Sequence, residues 1–248
     1  MNLDRIIAVR NDKTVYRDGE RCLKVFNSGY SKGDVLNEAL NQARVEEIGL
    51  SIPKILEVTT IDGKWTIVSE YIKGKSLSLL IEEHPEKKEE YLELFVALQS
   101  EMNSKICPLL NRQKDKMNMK ICMTDLSATV RYDLHIRLEG MPKHNNVCHG
   151  DFDPSNIIIS DDGKPYILDW SHATQGNSSA DAARTYLLFL LRGKEEDAEK
   201  YLDLFCEKSG ISKMCIKKWL PIVAAVQTVQ ANAAERKFLH SFITVTED

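Results

Sequence analysis

The sequence predicts an α+β protein in two parts: a small antiparallel sheet with one helix, then a larger and mainly helical region. Three observations carry this. Short β-type runs separated by turn dipeptides fill the chain up to about residue 70, one segment of helical period interrupts them, and from Ser76 onward the apolar spacing is mostly helical. With 43% hydrophobic and 28% charged residues over 248 positions, the chain has enough apolar material for an ordinary core, and neither a fibrous nor a disordered class fits.

Taken in order, 6–9, 14–17 and 21–26 read as strands, the last two joined at the tight-turn signal Asp18-Gly19. Val35, Leu36, Ala39, Leu40, Ala43 and Ile48 recur at helical spacing until Gly49. Runs 55–60 and 65–70 flank a second turn signal at Asp62-Gly63 and complete the sheet. The change of period over 71–75 places the expected boundary between residues 1–72 and 73–248. Beyond it, Leu92, Phe95, Val96, Leu98 and Met102 define a helix over 89–102, and 111–120 reads as a basic, solvated surface segment. A helix is expected over 125–138, and 157–159 and 166–168 form a hairpin around Asp161-Asp162-Gly163-Lys164. Helices are expected again over 180–191 and 195–208, with about two more within 212–242.

Charge and cysteine usage narrow the partners. With 33 Lys and Arg against 37 Asp and Glu, the net charge of −4 argues against a protein that grips nucleic acid. No stretch approaches the roughly 20 apolar residues of a spanning helix, and the start, from Met1 to Ile7, lacks the pattern of a signal peptide. A cytoplasmic protein with no membrane partner is expected. The six cysteines have no C-x-x-C pair and read as buried thiols.

The segment that carries chemistry is His149-Gly150-Asp151-Phe152-Asp153-Pro154-Ser155-Asn156, followed by the hairpin and by Asp169-Trp170. The hairpin should bring its two ends together, so that Asp151, Asn156 and Asp169 converge. Asn156 offers a neutral oxygen and Asp169 a carboxylate, a hard donor set that suits magnesium shared with nucleotide phosphates. Asp151 is then free to orient an attacking hydroxyl and accept its proton. His149, two residues before Asp151, suits a backbone-bracing hydrogen bond better than proton transfer. In the first region, alternation puts Lys24 on one strand face with Cys22 and Phe26, where an ammonium needs a carboxylate or phosphate partner. Glu38 on the following helix is the first candidate, with Glu46 and Glu47 also on that helix.

These residues resemble the protein-kinase-like fold, and specifically the aminoglycoside phosphotransferase and choline kinase family of small-molecule kinases. The resemblance covers essentially the whole chain and is most specific over 149–156 with Asp169-Trp170. It implies a nucleotide-binding lobe over 1–72 and a helical catalytic and acceptor-binding lobe over 73–248. It further implies ATP-dependent transfer of the γ-phosphate to a hydroxyl of an aminoglycoside-like compound, a sugar or an amino alcohol, with GTP as the alternative nucleotide. By resemblance Asp151 is the catalytic residue, Asn156 and Asp169 hold Mg²⁺, Lys24 contacts the phosphates, and Glu38 anchors Lys24. Backbone around Glu70, Tyr71 and Ile72 recognises the purine. Asp181 matches a structural acidic residue of the family, although a carboxylate in the first turn of a helix accounts for it almost as well.

Three departures accompany the resemblance. No glycine lies in 9–15, where a phosphate-covering loop belongs, so phosphate contact falls to the backbone of 11–14 and neighbouring side chains. The chain reads Leu98-Gln99-Ser100-Glu101-Met102 where relatives often carry a histidine, and no Ala-Pro-Glu segment follows Asp169. A nucleotide-binding regulatory module without turnover is the second reading and a protein kinase the third. A serine hydrolase is disfavoured because there is no G-x-S-x-G elbow. A monomer or weak dimer is expected.

Overall fold

In the computed structural model, residues 5–10 and 12–243 are described; Met1 to Asp4, part of the start read for a leader, and Asn11, in the glycine-free segment, lie outside them. Along the chain come β1 (Arg5–Val9), β2 (Lys13–Asp18), β3 (Arg21–Phe26), α1 (Lys32–Glu46), β4 (Ile55–Ile61), β5 (Lys64–Glu70), β6 (Gly74–Ser76) and α2 (Leu77–Glu83). Then follow α3 (Lys88–Asn103), α4 (Gln113–Cys122), α5 (Ala128–Gly140), β7 (Asn146–Cys148), β8 (Ile157–Ser160), β9 (Pro165–Ile167) and β10 (Thr174–Gly176). Among the described residues five helices follow: α6 (Ser178–Leu191), α7 (Glu195–Ser209), α8 (Lys213–Lys217), α9 (Leu220–Thr228) and α10 (Ala233–Ile243). The chain divides into two compact units, residues 1–87 with 154–172, and residues 88–153 with 173–248.

The first unit is built on an antiparallel sheet of order β1-β2-β3-β5-β4. Its hairpins close where turn chemistry allows: Gly19 takes φ 60 between β2 and β3, and Asp62 and Gly63 take φ 49 and 74 between β4 and β5. Alternation sorts the side chains, so that Leu23, Val25 and Val68 pack on one face while Phe26 and Ile67 pack with Val35 and Ala39 of α1 on the other. A second sheet, β6-β8-β9, carries the hairpin seen in the sequence. Gly74 is required there, because a Cβ on it would lie 2.1 Å from the Ile159 carbonyl oxygen.

The second unit is mainly helical, with β7 and β10 paired antiparallel. Its core is aromatic: Phe95 contacts Phe152, Phe189 and Tyr201, with ring centroids 4.7, 6.0 and 5.9 Å away. The basic stretch forms α4, with Gln113 and Ile121 buried and Lys114 donating to the Glu139 carbonyl at 3.0 Å. The expected helix at 125 begins only at Ala128, because the Ser127 hydroxyl accepts the Val130 N–H and caps it. Three helices occupy the tail where about two were expected. All six cysteines are free, but only Cys107 and Cys148 are buried as expected; Cys22 and Cys206 are half-buried, and Cys122 and Cys215 are exposed. No described helix is long and apolar enough to cross a membrane.

Candidate active site

In the first unit a cavity of about 590 Å³ opens against the sheet, walled by Lys13, Lys24, Asn156, Asp169 and the segment 70–72. Asn156 and Asp169 meet there because the hairpin ends are tied, the Leu168 N–H donating to the Asn156 carbonyl at 2.8 Å. Asp169 itself takes φ 63, a left-handed conformation that few non-glycine residues adopt and that concentrates at functional sites. Its Oδ1 accepts from the Ser171 hydroxyl at 3.1 Å.

Lys24 forms an ion pair with Glu38 Oε1 and lies 3.4 Å from Asp169 Oδ1. Burial by itself pulls the Lys24 pKa down, but the Asp169 and Glu38 carboxylates outweigh it and raise the value above that of free lysine, so the ammonium stays charged. Of the other two glutamates expected on the helix, Glu46 accepts the Ile55 N–H at 2.6 Å, and Glu47 lies at the C-cap just beyond α1 and is exposed. Helix α1 presents Glu38, Asn41 and Gln42 on one buried face. Asn41 donates to the Trp170 carbonyl at 3.3 Å and Gln42 to the Pro53 carbonyl at 2.7 Å, which fixes Glu38 against the sheet.

Lys13 is a site residue that sequence reasoning missed. Its Nζ lies 3.1 Å from Asp169 Oδ2 and 3.8 Å from Glu38 Oε2. The available signal was the alternation Lys13, Val15, Arg17 on the strand beside Lys24. In segment 70–72, the Glu70 and Tyr71 N–H groups are committed to the carbonyls of Lys54 and Glu20, at 3.0 and 2.9 Å. The Arg17 guanidinium stacks over the Tyr71 ring at 4.1 Å.

The second unit holds the His149-Gly150-Asp151 loop. His149 is fully buried, and its Nδ1 accepts the Asp151 N–H at 3.2 Å. Asp181, 1% exposed, accepts the Gly150 N–H at 2.8 Å on one oxygen. Its other oxygen accepts from Gln99 and Asn103, both at 3.3 Å. The Tyr201 hydroxyl donates to Gln99 Oε1 at 2.7 Å, and burial followed by the Asp181 charge pushes the Tyr201 pKa well above its ordinary value. Gln99, in the segment 98–102 noted as a departure from the family resemblance, braces Asp181. Arg184, three positions after Asp181 on the same helix, also escaped the sequence reading. Its Nε donates to the Gly150 carbonyl at 3.3 Å and its Nη2 to Asp151 Oδ1 at 3.4 Å. Burial draws the Arg184 pKa down, and the neighbouring Asp151, Asp153 and Asp181 charges oppose that.

In the C-terminal helices several aromatic and polar side chains serve the structure itself. Trp219 and Tyr186 are buried, and the Tyr186 hydroxyl donates to Glu199 at 2.6 Å. Asn232 and Glu235 cap the start of α10 reciprocally, with three backbone-to-side-chain bonds of 3.0 Å. Among the described residues no group of three or more His, Cys, Asp or Glu can hold a metal by itself, so an ion at Asn156 and Asp169 needs phosphate or water to complete its shell.

A sheet unit with a strand lysine paired to a helix glutamate, and a helical unit carrying a histidine-braced H-G-D loop, define the protein-kinase-like class of phosphotransferases. The chain belongs to the phosphotransferase enzyme family, whose profile matches residues 7–214. It is an ATP-dependent phosphotransferase that acts on a hydroxyl of a small molecule. The choline kinase LicA of Streptococcus pneumoniae has a similar structure, with TM-score 0.65 and 14% identity over 98% of this chain and 93% of that one. A thermostable mutant of the aminoglycoside phosphotransferase APH(4)-Ia, in ternary complex with AMP-PNP and hygromycin B, gives TM-score 0.69 and 14% identity over 96% and 90%. A type VIII aminoglycoside-3'-phosphotransferase gives 0.67 and 16% over 90% and 93%. At these identities the likeness is one of fold. No curated protein matches the chain.

Proposed function

We propose that the chain transfers the γ-phosphoryl group of ATP to its acceptor with magnesium held by Asn156 and Asp169, and that Asp151 receives the acceptor proton. The observation that supports this best is the cavity of the first unit, where a left-handed carboxylate residue, an amide and two ammonium groups share one wall. When bound, magnesium neutralises charge on the phosphate oxygens. Lys24 adds positive charge to the same phosphates, and Glu38 holds its ammonium in place. Ile72 offers its N–H to the purine, since those of Glu70 and Tyr71 serve the sheet.

In the transfer step the acceptor oxygen forms a bond to the γ-phosphorus, the bond from that phosphorus to the β,γ-bridging oxygen breaks, and the hydroxyl proton passes to the Asp151 carboxylate. Positioning and charge neutralisation supply most of the acceleration. His149 and Arg184 are positioning residues that fix the backbone and carboxylate of Asp151, and Asp181 fixes Gly150. Acceptors fall among aminoglycoside-like compounds, sugars and amino alcohols, and the reaction runs in the cytoplasm. The test is ³¹P NMR of the protein with magnesium and ATP, or GTP, against a panel of these three classes. A phosphomonoester on a metabolite with matching ADP supports the reading. ADP without any phosphorylated acceptor, or label on polypeptide, contradicts it.

A further inference from the structure

Lys13 is 8% exposed, and lysine is almost never buried without a partner. Strands β2 and β3 set Lys13 opposite Phe26 and Val15 opposite Lys24, so the two lysines are diagonal neighbours on one face of the sheet. Both ammonium groups converge on Asp169, Lys13 at 3.1 Å from Oδ2 and Lys24 at 3.4 Å from Oδ1. The Phe26 ring supports the Lys13 ammonium from 5.8 Å. Two ammonium groups and the carboxylates of Glu38 and Asp169 balance in charge. That balance is broken as soon as the Asp169 carboxylate turns to a cation, which leaves Lys13 free to meet an anion in the same cavity. Lys13 also stands inside the glycine-free segment 9–15, where backbone N–H groups of a glycine loop would otherwise cover phosphates.

We infer that Lys13 is a second phosphate-binding lysine, which takes polyphosphate oxygens beside Lys24 and does by charge what a glycine loop does with backbone N–H groups. This rests on the reading of the first-unit cavity as the nucleotide site. Its consequence is an affinity graded by phosphate count, since a compact ammonium recognises charge and contributes nothing to the nucleoside.

Calorimetric titration of the full chain with ATP, ADP and adenosine tests this, with Lys13→Met and Lys13→Arg compared to the parent. In Lys13→Met the ATP affinity should fall about ten- to a hundredfold, the ADP affinity less, and adenosine binding should not change. Lys13→Arg should recover most of the ATP affinity. If Lys13→Met binds ATP as the parent does, or loses adenosine in equal proportion, Lys13 has no phosphate role. If the parent binds neither ATP nor adenosine, the nucleotide-site reading itself fails, and the inference with it.

Discussion

The two units hold their key carboxylates in opposite ways. In the first unit Asp169 is partly exposed, sits on a strained backbone and is neutralised by two lysine ammonium groups. In the second, Asp181 is buried and satisfied by one backbone N–H and two side-chain amides. Ammonium groups on flexible stems can exchange one anion for another, so the first arrangement suits a site whose occupants change. Amide donors fixed in a helical core cannot, and the second arrangement builds a rigid loop around Asp151. On the proposed reading, charge compensation serves binding in the first unit and architecture in the second.

Substitutions can break or sharpen that contrast. Replacing Asp181 by Ala strands the donors of Gly150, Gln99 and Asn103, and should cost about 3 to 5 kcal/mol in urea unfolding, with activity lost in step. An unchanged midpoint would show that the loop does not depend on Asp181. Lys24→Met leaves Glu38, 1% exposed, without its closest cation. We expect about 2 to 4 kcal/mol of destabilisation, with much of it recovered in the double variant Lys24→Met with Glu38→Leu. A double variant no more stable than the single one would mean that the pair is not the source of the loss.

A smaller effect is expected from Gln99→Leu, which removes one donor to Asp181 and one acceptor for Tyr201 and should cost about 1 to 2 kcal/mol. Its effect on ATP affinity should be nil, since the bracing belongs to the second unit. The first unit also carries its own pH dependence. The Lys24 pKa is raised on folding, so its contribution is complete below the ordinary lysine value of about 10.4 and is lost as pH rises through the folded value. The stability gap between parent and Lys24→Met should then be flat from neutral pH to about pH 10 and close at higher pH. In Tyr30, burial first and then the Glu38 charge push the phenol up to about 12, so its ultraviolet titration should lag an exposed tyrosine.

What the sequence disclosed follows the same division. The first-unit turns were legible because Gly19 and Asp62-Gly63 encode them locally. Asn156 and Asp169 were legible as a pair because a short hairpin joins them, and α1 because its apolar period is clean. Lys13 was missed since alternation gives its face but says nothing of a carboxylate 156 positions away. Gln99 and Asn103 were missed for the same reason, lying 82 and 78 positions from Asp181. Strands β7 and β10, of three residues each, are too short to show alternation.

The role of Asp151 is tested most directly by single-turnover phosphoryl transfer in Asp151→Asn, with an acceptor phosphorylated by the parent and saturating ATP and magnesium. The amide keeps the side chain's size and removes its ability to take a proton. The rate should fall about 10²- to 10⁴-fold while ATP affinity stays at the parental value. Transfer at the parental rate would remove Asp151 from the chemistry.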